Sequence, residues 1–512
     1  MRKLFFASLP FVYLLLLLFQ KDLAMVGDLG RHLKLGEIVV NCLCVPQTNL
    51  FSYTHPGFPI VNHEWLAEVI FYLTSLWFGL NGLLILKMIL VIASASLLYH
   101  VALKKGSLFW VTLFSFLSIT LFSMRFFVLP ELFSYFFISL FIFILEKYKN
   151  SHLERSERSR SLYLLFLLPL FEILWVNMHI YFILGIAIYG FFLLETMLQT
   201  KKLDKKILLI GAILIFVTLI NPSGIRGALL PLTFTHNYGF GVEENGSPFA
   251  VLTPNSTNSN LAYTLVLQII VFEFLAGLFA VGLFFKEQWK QTFHFGNGIL
   301  AVLLGLKFTR CISLFGLFGF IPFVQLFTML EEKIKTKIDA SMQNSIKTIL
   351  VILVGIVVVI HVKGIFEYKI ASFSFVPSAE NASVFIKQAH VHGKIFNNYV
   401  VGNYLIYALY PQEKVYVDAR PEAYPASFFA EYWQMMADET FFNEQVKKYN
   451  INAVVFNVAL EDPTKSRPFL LRLLNSTDWV PVYGDGTITI FVRNNEVNKD
   501  VIEKYAIPVQ RH

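Results

Sequence analysis

Long apolar runs alternate with short polar connections along the first 362 residues or so of this chain, and then the pattern stops. A membrane-spanning helix takes about 20 apolar residues, within a range of about 17 to 25. Eleven segments fit that description, some of them short: 4–20, 80–103, 107–124, 132–146, 161–176, 180–198, 207–220, 261–285, 296–309, 311–330 and 348–362. Beyond them the periodicity changes. Apolar, β-branched runs at 414–417, 453–456 and 487–492 read as strands, and 402–409, 426–437 and 466–474 read as helices. Gly484-Asp485-Gly486 stands between two short strand signals, as a hairpin turn would. Strands alternating with helices predict a small α/β domain. The expected division is therefore a helical membrane domain over 1–362 and a water-soluble tail over 363–512.

The basic residues orient the helices. With Arg2-Lys3 on the inner side, alternate connections hold nineteen Lys and Arg, while the others hold six before the tail. Inner loops are the basic ones, so an odd number of spans leaves the tail outside. The fold class expected is a polytopic α-helical membrane protein of about eleven spans, with a C-terminal α/β domain on the outer side. Two outer loops are long. Residues 21–79 should contain a short helix near 28–40, a turn-rich middle from Pro46 to Pro59, and a second amphipathic helix from about Asn62. Both helices should lie along the membrane surface. Residues 221–260, rich in Gly, Pro, Asn and Ser, read as a lid or substrate loop. No small-residue cleavage site follows the first apolar run, so it is expected to stay as an uncleaved helix.

Composition narrows the class. Only 15% of residues are charged, against about 25% in soluble proteins. The net charge of +7 comes from basic residues beside apolar runs, so it does not point to nucleic acid. Cys42, Cys44 and Cys311 are too few for a disulfide framework, and the first two, only two positions apart, are expected to be free thiols. A glycine-rich phosphate loop and the His-Glu-x-x-His zinc spacing are both absent from the sequence.

The outer connections carry the candidate chemistry. In Gly27-Asp28-Leu29-Gly30-Arg31-His32, Asp28 and His32 are four apart and share a helix face. A carboxylate at the membrane surface suits a general base acting on a hydroxyl; it equally suits a helix cap. In Asn62-His63-Glu64-Trp65, His63 and Glu64 are placed to bind a phosphate, a sugar hydroxyl or a divalent ion, or simply to begin an interfacial helix. Arg125, with Pro130-Glu131, sits in a tight outer turn where a lipid phosphate could be gripped, or where an arginine could snorkel to head groups. Asn177 and His179, and Arg310, are polar groups near membrane depth, where polarity is costly and by default functional; the alternative is helix packing. In the tail, Asp418 and Arg420 follow a strand. They line a site there or form an internal pair that orders the loop.

These same residues carry a resemblance. The run Gly27 to Ile38, the stretch Asn49 to Thr54 and the stretch Val61 to Glu68 resemble the first outer loop of bacterial glycosyltransferases of the C superfamily. The stretches Phe396 to Leu405 and Val415 to Pro421 resemble the outer tail of an uncharacterised branch of that superfamily, related to protein O-mannosyltransferases and the aminoarabinose transferase. The resemblance implies an enzyme of the bacterial inner membrane that moves a sugar, with inversion, from a polyprenyl-phosphate donor to a hydroxyl of a glycan, lipid or protein. It implies Asp28 as the catalytic base. Arg125 and Arg310 would neutralise the lipid phosphate, and His63, Glu64 and His179 would orient sugar or phosphate. The second acid common beside the base is replaced by Leu29, which leaves a divalent cation as an open cofactor. Two rival classes are a lipid or polysaccharide translocase and a non-catalytic scaffold. Against the first, few ionisable residues lie within the expected spans; against the second, polar residues gather on one face.

The orientation predicts that reporter fusions after residues 105, 205 and 335 read cytoplasmic, and that fusions after 240 and 400 read external. A cytoplasmic reading at 400 would reverse the assignment of chemistry to the outer face.

Overall fold

The computed structural model describes residues 2–22, 27–151, 158–201, 204–233, 239, 245–251, 263–285, 291–367, 380–458 and 463–509. The chain forms two compact units, and they are not divided by a single cut near residue 362. One comprises Met1–Lys21, Asn81–Pro231 and Val242–Ser374; the other comprises Asp22–Leu80, Leu232–Gly241 and Phe375–His512. The first long loop therefore groups with the tail.

In the first unit a helix occupies each of the eleven apolar segments. Five helices are long and apolar enough to cross a membrane: Trp65–Leu103, Leu108–Arg125, Ile180–Thr200, Tyr263–Gly282 and Ala340–Phe366. A sixth span results if Thr309–Phe318 and Phe320–Ile334, bent by 50°, are taken together. Lys3–Leu18 and Leu162–Val176 are shorter apolar helices. The chain is thus a mostly helical, multi-pass membrane protein. A polar knot ties four of the helices. The Tyr13 hydroxyl lies 2.6 Å from His361 Nδ1 and 2.9 Å from Thr120 Oγ1, and Gln268 Nε2 donates to the Thr120 carbonyl at 2.8 Å. Buried polar groups of this kind must find partners within the protein, because lipid offers none. At another place Glu146 gathers Lys105, Lys149 and His294. Residues 234–238, 240–244 and 252–260 of the 221–260 loop, and 152–157 of the 150–160 linker, lie outside the described residues; within the former, Ile225–Leu229 is a short helix.

The second unit is built on a four-stranded sheet. Its strands are β1 (Lys394–Asn397), β2 (Ile451–Asn457), β3 (Trp479–Gly484) and β4 (Ile488–Arg493), in the order β1-β2-β4-β3. β1 and β2 are parallel, and the other pairs are antiparallel. β3 and β4 form a hairpin whose turn contains the expected Gly-Asp-Gly. Asp485 Oδ1 closes it by accepting from the amides of Thr487 and Ile488. Phe396, Tyr416, Tyr432, Phe456 and Phe469 fill the core beside the sheet.

Two expectations need correction here. Residues 414–417 do not form a ladder strand. Val415 makes single parallel bridges, to Ile395 on one side and to Ser52 on the other. The first loop borrows the backbone groups that a strand would have used: Val415 N donates to Phe51 O, and Tyr53 N donates to Val415 O. Cys42 and Cys44 are disulfide-bonded rather than free. The helix Leu29–Cys42 ends there in a left-handed Leu43, at φ 53°. The reversal leaves the two Cα atoms 5.2 Å apart, within the usual disulfide range of about 4.4 to 6.8 Å.

The first loop supplies two helices. Leu29–Cys42 is the expected short one, and the second begins at Trp65. The second continues into the first long span through a break at Gly79, whose φ of 68° lies in the region open to glycine. Leu29–Cys42 is pinched between two neighbours. A side chain at Gly36 would collide with the Glu68 carbonyl, and one at Gly30 would stand 3.1 Å from the Asn403 carbonyl oxygen. Small residues here let the backbones approach.

Gly36→Ala should therefore push this helix off Trp65–Leu103 and destabilise the unit by about 1 to 3 kcal/mol, the usual cost of overpacking. A lowered thermal midpoint of the full chain in detergent, with faster proteolysis around residue 45, would report it. An unchanged midpoint would show that the contact is not tight.

Candidate functional site

Within the second unit, three stretches distant in sequence meet around Asp28. The first is the start of helix Leu29–Cys42. Asp28 stands at its N-cap position but makes no capping bond through its side chain. Its Oδ1 instead accepts from Asn403 Nδ2 at 2.8 Å and faces Arg31 Nη2 at 3.5 Å. The Asp28 side chain keeps 38% of its surface exposed, while Arg31 beside it keeps 8%. The carboxylate is thus held by one oxygen and open to solvent.

The second stretch is the turn before Trp65. Glu68 is fully buried. Its Oε1 lies 3.0 Å from His32 Nδ1 and 3.7 Å from Arg31 Nη1, and its Oε2 accepts from Asn62 Nδ2 at 2.7 Å. Glu64 Oε2 stands 3.8 Å from the same His32 nitrogen. His63 Nε2 is 3.7 Å from Glu64 Oε1. His32 therefore turns to the glutamates, not to Asp28. Burial works against the Arg31 charge, but Asp28, Glu64 and Glu68 together outweigh that penalty and hold the guanidinium above its ordinary pKa.

The third stretch is the tail. Asn403 sits on the helix Tyr399–Leu409, and its amide spans two segments: Nδ2 holds Asp28, and Oδ1 accepts from the Ala419 amide at 3.2 Å. Ala419 lies between Asp418 and Arg420. Those two form a buried bidentate pair, with Arg420 Nε and Nη2 donating to the two Asp418 oxygens at 2.7 and 2.9 Å. Arg420 also donates to Asn49 Oδ1 at 3.0 Å, and Tyr424 donates to Asp418 Oδ2 at 2.9 Å. Burial opposes the Arg420 charge too, and Asp418 more than compensates, so its pKa is raised. The geometry of Asp418 and Arg420 is that of a pair ordering the loop that carries Ala419.

His32, Glu64 and Glu68 each bring one ligand atom to within 4.8 Å of the others. One imidazole and two carboxylates are a donor set that suits Mn²⁺ or Zn²⁺, and Asn62 orients Glu68 as an outer partner would. These three residues could hold a divalent cation. In the present arrangement hydrogen bonds and Arg31 tie them together.

The other expected residues belong to the helical unit. Arg125 Nε donates to Glu131 Oε1 at 2.5 Å, so the turn arginine is already ion-paired. Asn177 donates to the carbonyls of Ile173 and Ile220, both at 2.8 Å, which is the helix-packing arrangement. His179 Nδ1 lies 2.9 Å from Ser134 Oγ, which in turn accepts from Trp175 Nε1. The ring of His179 meets Tyr181 edge to face at 4.5 Å, and the Arg310 guanidinium lies 6.0 Å from the Tyr181 ring centre. Arg310, Arg125 and Glu131 all act electrostatically on the Cys311 thiol, so these residues form one neighbourhood within their unit. The structure thus gathers Asp28, His32, His63, Glu64, Asp418 and Arg420 in one unit, and Arg125, Glu131, His179 and Arg310 in the other.

Sequence reasoning did not assign Arg31, Glu68, Asn403 or Tyr181. Glu68 was legible: it lies four residues beyond Glu64, the spacing of one helix face. Asn403 was not, because 375 residues separate it from Asp28.

No protein-family model matches the sequence, and no curated protein does. Solved structures do. The archaeal oligosaccharyltransferase AglB from Archaeoglobus fulgidus, in complex with an inhibitory peptide and a dolichol-phosphate, aligns with a TM-score of 0.59 at 10% identity, over 99% of this chain and 75% of that one. ArnT from Cupriavidus metallidurans aligns over 99% of both chains, with a TM-score of 0.53 at 11% identity in the apo state and 0.52 at 10% bound to undecaprenyl phosphate. At such identities the likeness concerns the fold: this is a membrane protein with a fold like that of the C-type membrane glycosyltransferases.

The network makes a graded prediction. Removing one partner of a buried ion pair costs about 3 to 5 kcal/mol, whereas exposed pairs are worth about 1 kcal/mol or less. Glu68→Ala should lower the thermal midpoint far more than Glu37→Ala, whose carboxylate pairs with Lys34 on a surface that is 36% exposed. Equal shifts would mean that Glu68 is not a structural anchor.

Proposed function

We propose that the chain is a glycosyltransferase of the outer face of the bacterial inner membrane, transferring a sugar from a polyprenyl-phosphate donor to an acceptor hydroxyl. The observation that carries this reading is the Asp28 carboxylate, oriented by Asn403 through Oδ1 while more than a third of its side chain stays accessible. The fold supports it, because structures of similar fold include one holding dolichol-phosphate and one holding undecaprenyl phosphate.

In this reading the acceptor oxygen attacks the anomeric carbon as its proton passes to Asp28. The bond from that carbon to the phosphate oxygen breaks, and the polyprenyl phosphate leaves with the electron pair. Attack opposite the leaving group inverts the centre. Arg310 and Arg125 are the proposed partners of the departing phosphate, where negative charge develops. Arg31, buried beside Asp28, fixes the carboxylate as a positioning residue. His63 orients the sugar or phosphate. His32, Glu64 and Glu68 would hold a divalent cation, which when bound neutralises phosphate oxygens. The proposed topology has eleven spans, with the tail outside. A translocase or scaffold would need neither an oriented carboxylate nor its amide clamp.

Asp28→Asn removes the proton acceptor but keeps its shape. Transfer from a polyprenyl-phosphate sugar should fall by about 10²- to 10⁴-fold, with donor binding little changed. Arg310→Ala should instead weaken donor binding, because a charged phosphate partner is lost. Full turnover by Asp28→Asn in an assay where the wild type transfers sugar would remove Asp28 from the mechanism.

A further inference from the structure

The helical unit has a feature that sugar transfer does not use. The helices Arg2–Leu18 and Ala340–Glu367 both pack on Leu108–Phe122. At one end they are tied together by the hydrogen bond from Tyr13 to His361, where both side chains are buried. Towards the other end they part. Phe6 is 52% exposed and Val351 51%. Between them lies a groove of about 550 Å³, lined by Phe6, Leu9, Phe116, Val354, Gly355 and neighbouring apolar residues. That volume falls within the range of about 300 to 1,000 Å³ typical of small-molecule sites. From Val351 to Val358, the lining residues of this helix, the rise is about 10 Å, so the groove follows the helix for about two turns.

Its open end is basic. Lys3 lines the groove and forms no ion pair with any described residue. Lys347 lies 5.2 Å from the ring centre of Phe109, another lining residue. The charged group facing Lys347 is Glu331, which pairs with it and also accepts from Trp110 Nε1. Lys3 is thus the cation left to face a ligand. An apolar slot that runs along spanning helices and ends at a cation at the helix N-terminus has the polarity of one lipid molecule.

We propose that this groove is a binding site for an anionic glycerophospholipid of the leaflet at the Lys3 end. One acyl chain lies between Phe6 and Val354, and the phosphate meets the Lys3 ammonium. Charge complementarity favours this occupant over a second copy of the chain, whose spanning helices would have to place an acid opposite Lys3. The groove is lined by residues of the helical unit, whereas Asp28 belongs to the other unit, and the proposal does not rest on sugar transfer.

Gly355 provides the test. A side chain built there meets no atom within 4 Å. A Cβ at this position is therefore accommodated, and Gly355→Phe projects its ring from a groove-lining residue to occupy the groove. The full chain, purified in detergent, would be titrated with phosphatidylglycerol or phosphatidylcholine and observed by native mass spectrometry. The wild type should retain phosphatidylglycerol about fivefold better than phosphatidylcholine, the factor supplied by about one basic residue beside an anionic lipid. Gly355→Phe should lose both adducts at an unchanged thermal midpoint. Lys3→Gln should keep chain binding but lose the preference. Equal retention of the two lipids by the wild type, or full retention by Gly355→Phe, would overturn the proposal. So would a change of oligomeric state in Gly355→Phe, which would assign the groove to a second copy.

Discussion

The second unit depends on a buried side-chain clasp between the first loop and the tail. Arg420 is surrounded by Asp418 and Asn49, and Asn49 in turn donates to the Ala423 carbonyl. A guanidinium buried to this degree is tolerable only when its donors find acceptors in fixed positions. Here one acceptor comes from the tail and one from the loop, more than 350 residues apart. The single bridges of Val415 add backbone pairing at the same junction. Neither segment satisfies its polar groups alone, so folding of the loop is coupled to folding of the tail.

That coupling orients Asp28. Asn403 reaches from the tail helix to Asp28 while its own oxygen is tethered to the loop between Asp418 and Arg420. The orientation of the carboxylate is thus set by residues that would touch no substrate. Beneath it Arg31, His32 and Glu68 are buried and pair with one another, although Arg31 Nε has no hydrogen-bond partner among the described residues, and this cluster fixes the start of helix Leu29–Cys42. The ion pairs are worth more as positioning than as stability, since buried pairs often do no more than recover their desolvation cost.

Much of this was legible in the sequence, and the failures have physical causes. The apolar runs and the basic loops foretold helices at all eleven positions, because lipid allows few other solutions. The break at Gly79 fell where the first long loop was expected to end. The strand at 414–417 was misread because its apolar run is real but its partners are single bridges, one of them in the distant loop. The disulfide was missed because spacing does not disclose the left-handed Leu43 that brings Cys42 and Cys44 together. Asp28, His63 and Glu64 stood out as polar groups near a membrane. Asn403 carried no such signal, since an amide on an apolar helix acquires meaning only from what it touches.

The central claim is that Asp28 works through the clamp that holds it. A double-mutant cycle tests this most directly, with Asp28→Asn, Asn403→Ala and the pair assayed for transfer from a polyprenyl-phosphate sugar. Residues that act as a unit give strongly non-additive effects. The account predicts that Asn403→Ala slows the wild type by tenfold or more, on the order of one lost orienting hydrogen bond, yet leaves Asp28→Asn almost unchanged. Equal slowing by Asn403→Ala in both backgrounds would mean that the two residues act independently, and would contradict it.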